Sequence, residues 1–220
     1  MLSNRNKFVF CEVFELEEQK YMYDCAWAKN PLNQTYHDME WGQPLFDDQK
    51  QFEFLMLEVM QCGLSWTLML QKREIFRKVF LGFDFDKVAL IDERGIDDIL
   101  NVPGMIKSKR KIQAVIQNAR AFQKIRQEFG SFSNYLWSYS KGKVILYQDH
   151  DKGCLPSQNG LSKKISKDLR ARGFSFLGPI TVYSHLQACG IINDHGRDCP
   201  IYRNINQKYE TLHLEKDDES

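Results

Sequence analysis

Two short Cys/His pairs stand near opposite ends of this chain, Cys25 with His37 and His195 with Cys199. Together they offer four side chains of the kinds that hold a tetrahedral zinc ion, and if one ion gathers them, the fold must bring its two ends together. The second pair is the more specific, because residues four apart on a helix or in a tight turn can face one ion. The first is looser. Spacing alone leaves another reading open, in which the cysteines are ordinary buried thiols and the histidines satisfied polar groups.

At 220 residues, with 43% hydrophobic and 27% charged side chains, the chain can bury a core as one domain or as two closely packed lobes. No stretch approaches the ~20 apolar residues of a membrane span, and Met1 to Lys20 lacks a secretory pattern, so a cytoplasmic protein with no membrane partner is expected. Cys11, Cys25, Cys62, Cys154, Cys189 and Cys199 are too sparse for a disulfide scaffold, and no structural disulfide is expected.

The net charge of +1 conceals a segregation. Lys107, Lys109, Arg110, Lys111, Arg120, Lys124 and Arg126 fall in a stretch without a single acid, and Lys163, Lys164, Lys167, Arg170 and Arg172 form a second run opposed only by Asp168. Either run alone suits a solvated helix face; two in a nearly neutral protein favour a face for a polyanion such as a phosphate backbone.

Helical spacing dominates. Gln51–Gln61, Trp66–Phe80, Ser108–Phe129, Ser162–Arg172 and Thr181–Cys189 carry apolar residues three and four apart, with glycines at their ends. Asp86 and Asp97 suit the caps of two shorter helices, and Lys143–Tyr147 is the best strand candidate. The pattern predicts an all-α fold, with residues 1–20 a loosely held extension, 21–203 the folded unit and 204–220 a polar tail.

Within this pattern Glu58 is out of place. Phe52, Phe54, Leu55, Met56, Leu57, Val59 and Met60 make Gln51–Gln61 apolar nearly all round, so the helix belongs at the centre and offers a carboxylate to apolar surroundings. An ion pair with a distant cation would answer that, and so would a ligand. Gly63-Leu64-Ser65 can end this helix and cap the next, putting Trp66 in its first turn, while Trp27, Tyr36 and Trp41 flank His37. A carboxylate among indoles and a phenol suits a planar cation, although aromatic side chains are more often plain core. The glycine-bounded turn Gly173 to Thr181 follows the second basic run and could hold a phosphate on its amides, as any helical hairpin turn could.

These residues also carry a resemblance. Cys25-Ala-Trp, Tyr36-His37-Asp38 with Glu40-Trp41-Gly42, Glu58 with Gln61-Cys-Gly-Leu-Ser-Trp66, Lys111-Ile-Gln-Ala with Asn118-Ala-Arg, Gly173-Phe-Ser-Phe-Leu-Gly-Pro179 and Asn193-Asp-His195 with Cys199 resemble the 3-methyladenine DNA glycosylase I (Tag) family, in order, from about Cys25 to Pro200. The resemblance implies a helix-hairpin-helix glycosylase fold with one structural zinc on Cys25, His37, His195 and Cys199. It implies Glu58 as the catalytic and base-recognising carboxylate, with Tyr36, Trp66 and Trp27 around the base. The DNA-binding candidates are the hairpin residues Gly173, Phe174, Gly178 and Thr181, the basic Lys109 and Lys111, and Leu64 as a wedge. The activity implied is removal of 3-methyladenine from alkylated double-stranded DNA without strand cleavage, by a monomer. Asn33 stands where the family often has a tyrosine and cannot stack as that ring does, which bears on base affinity and selectivity. Asp194 lies near the place of a catalytic aspartate elsewhere in the superfamily. A zinc-stabilised module that binds lesions without cleaving them is the main alternative, and it leaves Glu58 without a task; a zinc-stapled interaction protein and a cysteine-nucleophile hydrolase fit less well.

Overall fold

A computed structural model describes residues 25–148, 150 and 155–215; the extension at residues 1–20 lies outside them. The described chain is mostly helical, as expected. In order come α1 (Pro31–Met39), α2 (Asp48–Gln61), α3 (Trp66–Val79), α4 (Phe85–Val88), α5 (Glu93–Asn101), α6 (Lys109–Phe129), α7 (Phe132–Ser138), strand β1 (Val144–Tyr147), α8 (Gly160–Ala171), α9 (Pro179–Ala188), α10 (Pro200–Lys208) and strand β2 (Thr211–Leu214).

The all-round apolar segment is the central helix. Asp47 caps α2 by accepting the Lys50 N–H at 2.8 Å, and every residue from Gln51 to Met60 is buried. Its side chains pack against α3, α6, α7 and α9, and each fully buried aliphatic or aromatic group contributes about 1.5–3 kcal/mol. On one side Phe52 meets Phe83, Phe85 and Phe122, and Phe122 stacks on Phe132 of α7 at 4.2 Å. The helix ends at Gly63, whose φ of 79° reverses the chain, and Ser65 caps α3 through the Leu68 N–H. Glu58 and Trp66 are thereby held on two helices joined by one tight turn.

Several boundaries differ from the sequence reading. The caps of α4 and α5 are Asp84 and Asp92, not Asp86 and Asp97. Asp86 lies inside the first turn, where a carboxylate still favours the helix dipole, and Asp97 lies within α5. Helix α8 starts two residues early because Asn159 and Ser162 form a capping box. Helix α9 starts at Pro179, a residue suited to a first helical position, so Thr181 lies within its first turn.

The expected strand is present, but its partner comes from the expected polar tail. β1 and β2 pair in parallel with Val144 opposite Thr211 and Tyr147 opposite Leu214, and α10 runs on through residue 208. Residues 204–215 are thus built into the fold. β1 also bonds the segment after α9, Ile145 N–H to the Ile191 carbonyl at 2.7 Å and Asn193 N–H to the Ile145 carbonyl at 3.0 Å, and the loop that follows brings His195 and Cys199 to Cys25 and His37.

Candidate active site

The four Cys/His residues converge. His195 Nδ1 lies 3.2 Å from His37 Nε2, 3.6 Å from Cys25 Sγ and 3.8 Å from Cys199 Sγ, and Cys199 Sγ lies 3.8 Å from His37 Nε2. Ligand atoms at tetrahedral zinc distances stand about 3.4 Å apart for two nitrogens and about 3.6 Å for nitrogen and sulfur. The outer nitrogens are held too: His37 Nδ1 meets the Asp38 carboxylate at 2.8 Å and His195 Nε2 meets the Trp41 carbonyl at 3.2 Å. With those positions protonated, the inner nitrogens are two lone pairs facing each other, an arrangement that calls for a cation between them. Burial pushes the His195 imidazole down to about 4, which keeps it neutral. Two local backbone features serve the cluster. Cys25 adopts a left-handed conformation at φ 55°, and at Gly42 (φ 75°) any Cβ would collide with His195 Nε2.

Beside the cluster opens a cavity of about 470 Å³. Trp27, Tyr36, Glu58 and Trp66 line it together with His195, so the sequence candidates for a base pocket meet in one place. Tyr36 and Trp66 rings lie 5.2 Å apart, and Trp27 stands at 6.3 Å from Tyr36, 39% exposed at the rim. Glu58 is 5% exposed and makes no ion pair among the described residues. Burial pushes its carboxyl up to about 8. The Tyr36 hydroxyl and the Trp66 indole N–H are buried without hydrogen-bond partners. Such groups are costly to bury. A carboxyl, a phenol and an indole N–H with unused hydrogen-bonding capacity, set among aromatic faces, form a receptor for a flat, polar or cationic ring.

Apart from Asn193 and Asp194, the rest of the lining was not read from the sequence. Leu146, Tyr147, His150, Gln187, Asn193, Asp194 and Tyr202 belong to it, drawn from β1, α9, α10 and the loops between them. Asp194 is committed within that lining, accepting from Tyr183, from Gln187 at 2.9 Å and from His150 at 2.8 Å. Asn33 does not line the cavity. It is buried, donates to the Trp27 carbonyl at 3.1 Å and accepts from Thr67 at 3.1 Å, so it anchors the turn carrying Trp27 to α3.

The DNA-binding candidates divide. Leu64 is 38% exposed at the α2–α3 turn, which lies next to the α8–α9 turn, Cys62 Sγ being 4.0 Å from the Phe176 carbonyl and 3.9 Å from Thr181 Oγ1. Gly173 and Gly178 lie along that second turn and Thr181 in the first turn of α9 that follows it, and a Cβ at Gly178 would meet nothing within 4 Å. Phe174 is buried beside Phe132. Lys111 turns inward, its ammonium bonded to the carbonyls of Met60 and Cys62 at 2.8 and 2.7 Å, where it caps α2. Lys109 pairs with Glu93 and Asp97, Arg126 with Asp48, and Arg172 with Asp168 and Glu128. By contrast Lys163, Lys164 and Lys167 of α8 are exposed and make no ion pair among the described residues.

Relatives that match most of the chain place it among N-glycosylase hydrolases. It is 40% identical over 182 residues to DNA-3-methyladenine glycosylase 1 of Escherichia coli, covering 82% of this chain and 97% of that one. It is 38% identical over 177 residues to DNA-3-methyladenine glycosylase of Haemophilus influenzae, covering 80% and 96%. The structure of 3-methyladenine DNA glycosylase I from Staphylococcus aureus superposes with a TM-score of 0.76 at 38% identity, over 81% of this chain and 96% of that one. The methyladenine glycosylase family model matches residues 26–203, and the chain belongs to that family.

Proposed function

We propose that this protein is a base-excision repair glycosylase that hydrolyses the N-glycosidic bond of 3-methyladenine in alkylated duplex DNA, acting in the cytoplasm as a monomer and leaving the strand uncut. The observation that carries this reading is Glu58, a buried carboxyl with no ion-pair partner among the described residues, at the edge of an aromatic cavity. The names of its relatives support the same substrate.

The lesion must first leave the stack, at a cost of ~a few kcal/mol. In the proposed complex the exposed lysines of α8 and the amides of the α8–α9 turn, read as a helix-hairpin-helix element, hold the bent backbone. Leu64 fills the gap left behind. Lys111 is left out of this face because its charge is used inside the protein.

Selection follows from charge. With the pocket empty, the Glu58 carboxyl keeps its proton near neutrality. A base carrying a fixed positive charge favours the carboxylate, which loses its proton and accepts the base's exocyclic N–H. Trp66 and Trp27 supply ring faces, and Tyr36 and Trp66 offer their unused N–H and O–H groups. Neutral adenine gives no such return for ionising a buried acid. The bond from sugar C1′ to the base then breaks with its electron pair going to the ring, which becomes neutral, and water adds to the oxocarbenium-like sugar with loss of a proton. Among the described residues no lysine lines the cavity to form a Schiff base, in keeping with base removal alone.

The Cys25, His37, His195 and Cys199 donor set fits one structural zinc ion, by its distances and by the two facing imidazole lone pairs. Bound there, zinc would tie the segment before α1 to the loop before α10; four protein ligands complete its shell. Tyr36 precedes His37 directly, so the tie fixes one wall of the pocket. The test is to incubate the protein with methylated duplex DNA and chromatograph the released bases. Free 3-methyladenine with intact strands is expected, and active release by Glu58→Ala at the wild-type rate would remove Glu58 from the mechanism.

A further inference from the structure

The turn from Gly173 to Gly178 sorts its peptide groups by direction. The Gly173 carbonyl accepts from Gln117 Nε2 at 2.7 Å, that of Ser175 from Asn118 Nδ2 at 3.1 Å, and that of Leu177 from Ser166 Oγ at 2.7 Å. The Phe176 carbonyl faces the Cys62 thiol at 4.0 Å. In a planar trans peptide the N–H points opposite to the C=O. Drawing the carbonyls of residues 175, 176 and 177 into the protein therefore turns the N–H groups of Phe176, Leu177 and Gly178 away from it. Among the described residues those three N–H groups have no hydrogen-bond partner. The open amides at the start of α9 lie at the same end, and Arg110 stands over the Phe176 ring at 5.7 Å.

Asn118 is the centre of this sorting. It is fully buried on α6 and bonds Ser175 in both directions, accepting its N–H at 2.8 Å and donating to its carbonyl at 3.1 Å. A side-chain amide can do both at once; an aliphatic side chain of the same size can do neither. We infer that Asn118 is a positioning residue for DNA binding: it touches no DNA, and it sets the polarity of the α8–α9 turn so that amides rather than carbonyls face the phosphates. The inference rests on reading this turn as the DNA contact.

The test uses the full-length, metal-loaded protein and two probes, an undamaged duplex and free 3-methyladenine. Asn118→Ala is expected to weaken duplex affinity about tenfold and raise KM for methylated DNA similarly, with kcat and the affinity for the free base unchanged within about twofold. Equal loss for both probes, or no loss for the duplex, overturns the role. Ser166→Ala, which removes a single hydroxyl, gives the same readings should Asn118→Ala fail to fold, with about a threefold effect expected on duplex affinity. A double-mutant cycle adds a readout that a loosened core would not move. Gly178→Ala puts a methyl into open space at a backbone φ of −71° that alanine accepts, blocking close approach of a phosphate. If Asn118 acts through the turn, its effect on duplex affinity shrinks in the Gly178→Ala background; strict additivity overturns the inference. A wild-type protein without duplex affinity would overturn the reading of the turn itself, whereas normal wild-type binding with an unaffected Asn118→Ala overturns only the positioning role.

Discussion

Glu58 joins stability and recognition in one side chain. Its folded-state pKa of about 8 lies above the ordinary carboxylate value of 4.5. Between those values the folded protein binds the extra proton, so stability falls as pH rises through that window. Glu58→Gln removes the titration while keeping the shape. Its stability relative to wild type is expected to grow by up to about 1.4 kcal/mol per pH unit between about pH 5 and about pH 8, and to level off above. Urea denaturation at several pH values measures this, and a pH-independent difference would mean that the carboxyl titrates normally. The same variant should bind the cationic base at least about tenfold more weakly. Glu58 was legible in the sequence because it breaks a pattern, a carboxylate inside an apolar helix; Trp66 was legible from the turn before it. The far wall of the cavity was not. Gln187 and Tyr202 come from separate segments and look unremarkable until the chain folds, His150 has no local pattern to mark it, and Asp194 was marked only by its place beside His195.

At the scale of elements, helix phase decides what a charge can do. Lys111 and Lys109 look alike in a basic run, yet Lys111 shares a helix face with Val115, Asn118 and Phe122, all buried. That phase was available in the sequence and would have separated the two lysines. The strand pair was less accessible: β2 has four residues, and only its distant partner β1 defines it. Lys111 donates to two carbonyls at the C-terminus of α2, next to the turn that joins Glu58 to Trp66. Lys111→Met is expected to cost about 1–3 kcal/mol of stability, measured by chemical denaturation, and to leave the salt dependence of duplex affinity unchanged. A slope of log Kd against log salt reduced by about one, with stability intact, would return Lys111 to the DNA face. A second tie joins α2 to α3. Arg73 of α3 binds Glu40 through both terminal nitrogens at 2.6 and 2.7 Å and Glu53 of α2 through Nε at 2.7 Å. Arg73→Met leaves two carboxylates partly buried with weaker partners, so a loss of roughly 2–4 kcal/mol is expected; a stability within about 0.5 kcal/mol of wild type would make the network a surface feature.

Across the whole molecule, the pocket is assembled from both ends of the described chain. Tyr36 and Trp27 come from the N-terminal side, Asn193 to Arg197 from the C-terminal side, and Cys25, His37, His195 and Cys199 are where the two meet. Hydrophobic packing also joins them, since Tyr36 packs in a small cluster with Phe54, Leu70 and Ala188. That cluster is minor beside the main core around α2, so the metal proposed for the Cys/His site should carry much of the closure. Without it, two imidazole nitrogens remain 3.2 Å apart with lone pairs opposed. Protein purified without added metal is expected to contain about one zinc per chain. Stripping it with a strong chelator should lower Tm by roughly 10 °C or more and weaken binding of free 3-methyladenine, because the Tyr36 wall and the His195 wall separate. Amide hydrogen exchange tests where the effect falls: faster exchange is expected in residues 25–41 and 193–208, with α2 and α6 still protected. Uniform deprotection would make the site a general stabiliser of the fold, and unchanged exchange in those two segments would show that packing alone closes it.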